Sequence, residues 1–210
     1  MKTIHIYKLL TVVLIFGLDL LSQFKSTEAC SCMPEHSQAA YCKSDYVIVA
    51  RVLRRSNRKH QNNYVYKIDI RKAYKMNPAA ERYLKQGRIM TPIDDSACGI
   101  KLEIGQLYVF AGSDYHVNLC SFVRKYADLT IVEKRGIAGS YRKGCTCKIK
   151  PCFSTICHQS IGTCNWTPWR KCESDYGACI PSRGYYTPEG TPYKCHWRRS
   201  PPYNECLENP

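Results

Sequence analysis

Apolar and polar residues along the chain divide it into three stretches. From Leu9 to Leu21 the sequence is apolar apart from Thr11, Gly17 and Asp19. That run is short of the roughly 20 apolar residues a membrane span needs, and no later stretch is apolar enough to span. From Tyr46 to Leu53 a β-branched, apolar segment predicts a buried strand. Polar residues Ser56 to Asn63 then predict a turn. Beyond it Tyr64, Tyr66, Ile68 and Ile70 alternate with Val65, Lys67, Asp69 and Arg71, the period of a half-buried strand. Shorter strands are expected at Arg88 to Thr91, Ile100 to Ile104, Leu107 to Phe110 and Tyr115 to Leu119, punctuated by Gly99, Gly105 and Gly112. Helices are expected at His36 to Lys43, after Pro34, and at Tyr126 to Lys134 with Asp128 as its cap. About five short strands with a few helices point to a mainly β fold, a small Greek-key barrel of the OB type.

The first apolar run is better explained by export than by structure. Lys2 and Lys8 precede it, and Thr27 and Ala29 are small residues three and one positions before Cys30. This is the pattern of a signal peptide, residues 1–29, cut before Cys30. All 14 cysteines lie after the cut. In a secreted chain an even number implies disulfides, here seven, whose connectivity spacing does not give. Cysteines are sparse up to Cys120 and crowd from Cys145 to Cys206, where Pro and Gly also rise. A boundary near Cys145 follows, with one domain over 30–145 and a small cysteine-rich one over 146–210 that depends on its bridges. Pro201 to Pro210 reads as a loose tail tied only at Cys206.

Charge adds a candidate partner. The chain carries 31 Lys+Arg against 17 Asp+Glu, a formal net charge of +14. Losing residues 1–29 leaves 28 against 15. Outside the cell the matching polyanions are sulfated glycosaminoglycans rather than nucleic acid. The candidate contacts cluster around the first hairpin: Arg54, Arg55, Arg58, Lys59, Lys67, Arg71, Lys72 and Lys75.

Candidate chemistry is sparse. No HExxH pattern, nucleophile elbow, phosphate-cradling loop or thioredoxin-type pair is present. Asp94 and Asp95 read as turn residues, not as an acid–base pair. Cys145, Cys147, Cys152, Cys157 and His158 have zinc-ligand types, but export favours bridges over thiolates. Asn165, Trp166 and Thr167 form a formal N-glycosylation sequon. The unusual feature is the new terminus: Cys30, Ser31, Cys32, Met33 and Pro34. In an extended segment the two cysteines point one way and Ser31 the other. If both sulfurs are bridged, the segment becomes a rigid ridge ending in an α-amine.

That terminus resembles the tissue inhibitors of metalloproteinases. The resemblance extends through Tyr41 to Ala50, Glu133 to Gly136, Gly144 to Cys152, Cys164 to Trp166 and Ala178 to Ile180, covering essentially the whole exported chain. It implies an OB-type, netrin-like barrel followed by a small disulfide-rich domain. It implies the pairs Cys30–Cys98, Cys32–Cys120, Cys42–Cys145, Cys147–Cys195, Cys152–Cys157 and Cys164–Cys179. Cys172 and Cys206 lie outside the family's usual twelve and are expected to pair with each other. As in the family, the α-amine and carbonyl oxygen of Cys30 would ligate the zinc of a target protease, a matrix metalloprotease or a membrane-bound sheddase. The zinc belongs to the target; the chain needs no cofactor of its own and is no enzyme. Ser31 would enter the specificity pocket, with Cys32, Met33 and Pro34 along the groove and Asp95, Ser96, Ala97 and Cys98 on the other side. The competing reading is a non-inhibitory netrin-like module that binds matrix or glycosaminoglycan.

Overall fold

The protein is described by a computed structural model. It describes residues 30–56, 60–154, 156–184 and 186–209, without the side chain of Asp95. The expected signal peptide, Arg58 and Lys59 lie outside the described residues.

Five antiparallel strands form one curled sheet in the order β3-β2-β1-β4-β5. They are β1 (Tyr46–Arg55), β2 (Asn63–Met76), β3 (Arg88–Pro92), β4 (Leu107–Gly112) and β5 (Phe122–Lys125). Three register shifts in the β1–β2 ladder give the sheet its bend. The alternation in β1 buries both faces. Tyr46, Ile48, Ala50 and Val52 enter one cluster with Tyr66, Ile68, Ile89 and Phe110. Val47 and Val49 enter a second with Tyr41, Val109, Leu129, Ile137 and Tyr141. The hairpin closes with Gln61 and Asn62 in the left-handed region, φ 46° and 61°, the pairing that suits a right-twisted ribbon.

Several expected elements differ. Ile100 to Ile104 forms no strand, because side chains take its backbone donors. Ile100 N donates to Thr91 Oγ1, Leu102 N to the Tyr66 hydroxyl and Glu103 N to the Tyr108 hydroxyl. Tyr115 to Leu119 contributes only a parallel bridge between His116 and Met90, which draws the sheet's open edge inward. The fifth strand is instead the four-residue β5. The helix expected over Tyr126 to Lys134 is broken. A single 3-10 turn covers Tyr126–Asp128, and Thr130, not Asp128, caps a new helix with a full capping box to Glu133.

The helices are short. Helix α1 (Ser37–Lys43) follows the N-terminal segment, and α2 (Pro78–Leu84) starts at the Asn77 cap with Pro78 in its first turn. Helix α3 (Ile131–Arg135) is the one capped by Thr130. Beyond Cys145 the strands pair in twos: β6 (Lys148–Pro151) parallel to β7 (Thr163–Trp166), and β8 (Cys179–Pro181) antiparallel to β9 (Cys195–Trp197). Helices α4 (Lys171–Tyr176) and α5 (Pro201–Glu208) pack together. The expected loose tail is thus mostly helix, held by buried Tyr203 and by a bridge from Cys206 to Cys172.

Candidate functional site

Residues Cys30–Pro34 have no regular secondary structure and are tied to the loops after β3 and before β5, the two edge strands of the sheet. Two disulfides hold them. Cys30 pairs with Cys98 and Cys32 with Cys120, with Cα separations of 5.6 and 5.2 Å. Cys30 and Cys32 are half-buried while Ser31, Met33 and Pro34 are exposed, Met33 by 73%. Ser31 therefore stands outward between two covalent anchors.

The anchors are themselves tied together. Leu119 N donates to Cys98 O at 2.8 Å, and Cys120 N donates to Asn118 Oδ1 at 2.9 Å. The backbone of Asp95, Ser96 and Ala97 forms one 3-10 turn before Cys98. Ala97 N donates to Asp94 O, and Asn62 Nδ2 donates to Asp94 Oδ2 at 2.6 Å, bracing the turn against the hairpin tip. Ser96 and Ala97 are exposed, and Ser96 O lies 4.0 Å from Cys30 Sγ. A Cβ on Gly99 would sit 2.1 Å from Pro92 O, so only glycine lets the chain pass there. The structure thus brings Ser31, Ser96, Ala97, Cys98 and both anchors onto one edge.

Behind the edge lies a buried polar foundation that sequence reasoning missed. His36, expected as the first helical residue, is the N-cap of α1. Its Nδ1 accepts from Gln38 N, and its Nε2–H donates to Glu173 O at 2.8 Å. Trp166, Trp197 and Tyr141 surround the ring. Burial holds its pKa down to about 4, so the imidazole is neutral at physiological pH. Gln38 donates to Gly144 O and Cys179 O and accepts from Cys179 N. Glu133, fully buried, accepts from Ser37, Arg124 and Thr130 N. These side chains tie the helix behind the edge to the cysteine-rich half. The Thr130–Glu133 capping box was a sequence signal for the position of Glu133, and the family resemblance also covers it, but neither shows its burial.

The remaining candidates scatter. Arg71 pairs with Asp69, Lys72 lies over the Tyr74 ring and Arg55 over Tyr64. Lys75 donates to Tyr41 O and Cys42 O, capping the end of α1. Arg54, Lys67 and the overlooked Arg88 fall in a row across β1, β2 and β3. They line a cleft with Ser56 and His60 in which no acidic side chain is found among the described residues.

The other bridges are Cys42–Cys145, Cys147–Cys195, Cys152–Cys157, Cys164–Cys179 and Cys172–Cys206. Cys147, Cys179 and Cys195 sulfurs lie within 4.8 Å of one another. All three are disulfide sulfurs, so this cluster lacks the thiolates that bind zinc. In the sequon, Asn165 Nδ2 donates to Cys157 O at 2.8 Å within β7.

A curled five-stranded sheet with a doubly bridged N-terminal segment tied to loops beside its two edge strands defines a class of small disulfide-rich protein. Residues 28–197 match the family model described as tissue inhibitor of metalloproteinase. A Drosophila melanogaster protein named tissue inhibitor of metalloproteinase is 40% identical over 189 residues, 89% of this chain and 90% of that protein. Metalloproteinase inhibitor 3 of Xenopus laevis is 32% identical over 187 residues, 83% of each chain. Metalloproteinase inhibitor 2 of Homo sapiens is 29% identical over 221 residues, 94% of this chain and 96% of that protein. The chain belongs to the tissue inhibitor of metalloproteinase family.

Proposed function

We propose that this protein is a secreted inhibitor of zinc metalloproteases, and that the pinned edge is its inhibitory surface. The observation that carries the reading is Ser31 exposed between two bridged cysteines, beside the Ser96–Ala97 turn. A catalytic zinc keeps one position open for water. Once residues 1–29 are removed, the α-amine and carbonyl oxygen of Cys30 offer nitrogen and oxygen donors suited to that position. An α-amine has a pKa of about 7.7–8, and the metal's charge favours the neutral, ligating form. Ser31 would then enter the protease's specificity pocket, with Cys32, Met33 and Pro34 along its groove and Asp95 to Cys98 on the opposite side. No peptide bond at the zinc is presented for cleavage, so the chain acts as an inhibitor and not a catalyst. Pre-ordering by the bridges reduces the freedom lost on binding. Complete pairing of the cysteines suits an oxidising, extracellular setting.

The test titrates active metalloprotease catalytic domains, matrix enzymes and sheddases, with two refolded proteins. One begins at Cys30; the other carries one extra alanine before it. Tight inhibition by the first alone supports zinc ligation by the terminus. Inhibition by both assigns the effect to another surface, and inhibition by neither removes the reading.

A second activity is favoured by the cationic row. Like charges placed opposite on neighbouring strands destabilise a sheet, and Arg54, Lys67 and Arg88 sit so with no acid lining their cleft among the described residues, Lys67 donating only to Gln86 O. A sulfated glycosaminoglycan would neutralise them. Elution of the protein from heparin only above physiological salt, lowered by Arg88→Ser, is expected. Elution at or below that salt would exclude a matrix-binding role for this face.

A further inference from the structure

Among the described residues of the cysteine-rich half, four buried side-chain oxygens have no hydrogen-bond partner, those of Asn165, Glu173, Ser200 and Asn204, and two of these residues, Asn165 and Glu173, line one cleft. Glu173, in the first turn of α4, is nine-tenths buried, yet its Oε2 has no hydrogen-bond partner. Asn165 on β7 donates through Nδ2 but leaves Oδ1 buried and unpartnered. The contrast with Glu133 is direct, since that buried carboxylate accepts from Ser37, Arg124 and Thr130 N. Buried polar atoms are nearly always paired, and leaving one unmatched is costly, more so for a charge.

Both residues line the same cleft, of about 430 Å³, together with Ser154, Thr167, Phe153 and Trp169. Phe153 and Trp169 are exposed by 53% and 64%, with ring centroids 6.0 Å apart at 45°. Apart from their contact with each other, these two large aromatic side chains are left mostly in solvent at the same cleft as the buried Glu173. Arg170 also lines the cleft, but no ion pair joins it to Glu173 among the described residues.

We propose that this cleft binds the side chain of a lysine presented by a protein partner. The carboxylate of Glu173 and the amide oxygen of Asn165 only accept, so the ligand must donate and carry positive charge. The paired rings favour a cation near an open face and an apolar stem laid along their outer surface. A lysine supplies a slender apolar stem and a compact ammonium. The cleft lies on residues separate from the pinned edge, so occupancy does not depend on protease inhibition.

The test uses the whole chain beginning at Cys30, labelled with 15N. It is titrated with N-acetyl-lysine methylamide and with the norleucine analogue, which has the stem without the charge. Saturable shifts of the Trp169 indole and of the Phe153 and Ser154 amides are expected for the lysine derivative alone. Glu173→Gln should weaken binding at least fivefold, and Trp169→Ala, at an exposed position, should do the same. Both variants should retain full protease inhibition, which confirms folding. No saturable shift in the unaltered protein, equal shifts from norleucine, or undiminished binding by both variants would overturn the proposal.

Discussion

Replacing Cys32 and Cys120 together by alanine removes one anchor of the edge and leaves the Cys30–Cys98 bridge. In isolation a bridge spanning 88 residues would stabilise the fold by about 4.6 kcal/mol through chain entropy. The neighbouring bridge already closes most of that loop. Cys30 is two residues from Cys32 and Cys98 is 22 from Cys120. The ring left to close is thus about 24 residues and the expected loss about 3.5 kcal/mol. Urea unfolding without reductant measures it. At 25 °C in buffer the variant should remain folded, so lost stability alone would leave the inhibition constant unchanged. Freeing Ser31, Cys32 and Met33 from fixed geometry costs about 1 kcal/mol each to restore on binding. The inhibition constant should therefore rise about a hundredfold. A stability loss below 1 kcal/mol, or an unchanged inhibition constant, would refute the reasoning that the bridges pre-order the edge.

Other perturbations probe the foundation. His36 has an ordinary pKa of 6.5 and is held to about 4 in the fold. Between those values the unfolded chain binds the extra proton, so stability is full above pH 6.5 and falls by about 3 kcal/mol on acidification to pH 4. His36→Asn, which keeps a capping side chain, should flatten that part of the stability–pH curve, read by thermal melts. Gln38→Ala leaves Gly144 O, Cys179 O and Cys179 N without their partner and should cost about 2–4 kcal/mol in urea unfolding. Gly99→Ala should displace the turn before Cys98, weakening protease inhibition more than it lowers the melting temperature. Mass spectrometry of protein secreted from a glycosylating host should find Asn165 unmodified, because its amide nitrogen is committed to Cys157 O.

Much of the sheet was legible because its pattern is simple. Tyr64 to Ile70 alternates cleanly, and the stretch expected to be buried over Tyr46 to Leu53 is buried on both faces from Tyr46 to Ala50 and at Val52, while Leu53 is exposed. Ile100 to Ile104 misled because its donors go to the hydroxyls of Thr91, Tyr66 and Tyr108, contacts no periodicity encodes. Strand β5 is four residues long and too brief to show a period. The Asn77–Pro78 start of α2 was a readable signal that went unused. At the edge, sequence gave the outward serine, but the bridge partners came only through family resemblance, since spacing does not determine connectivity. The basic residues near the hairpin could not be sorted, because the β1–β2 bulges decide which of them face the cleft. The roles of His36 and Gln38 depend on contacts more than a hundred residues away.

The two bridges under Ser31 carry a consequence for how the edge would fail. Load applied to the exposed serine passes through sulfur–sulfur bonds into Cys98 and Cys120, whose segments are already joined at Leu119. Heat or denaturant loosens hydrogen bonds and apolar contacts but leaves those bonds closed. A reductant acts the other way, freeing the edge by cutting the half-exposed bridges themselves and withdrawing their stabilisation from the body only as a second effect. The edge and the body thus answer to different hazards: the lifetime of one is set by the thiol chemistry of its surroundings, and that of the other by temperature.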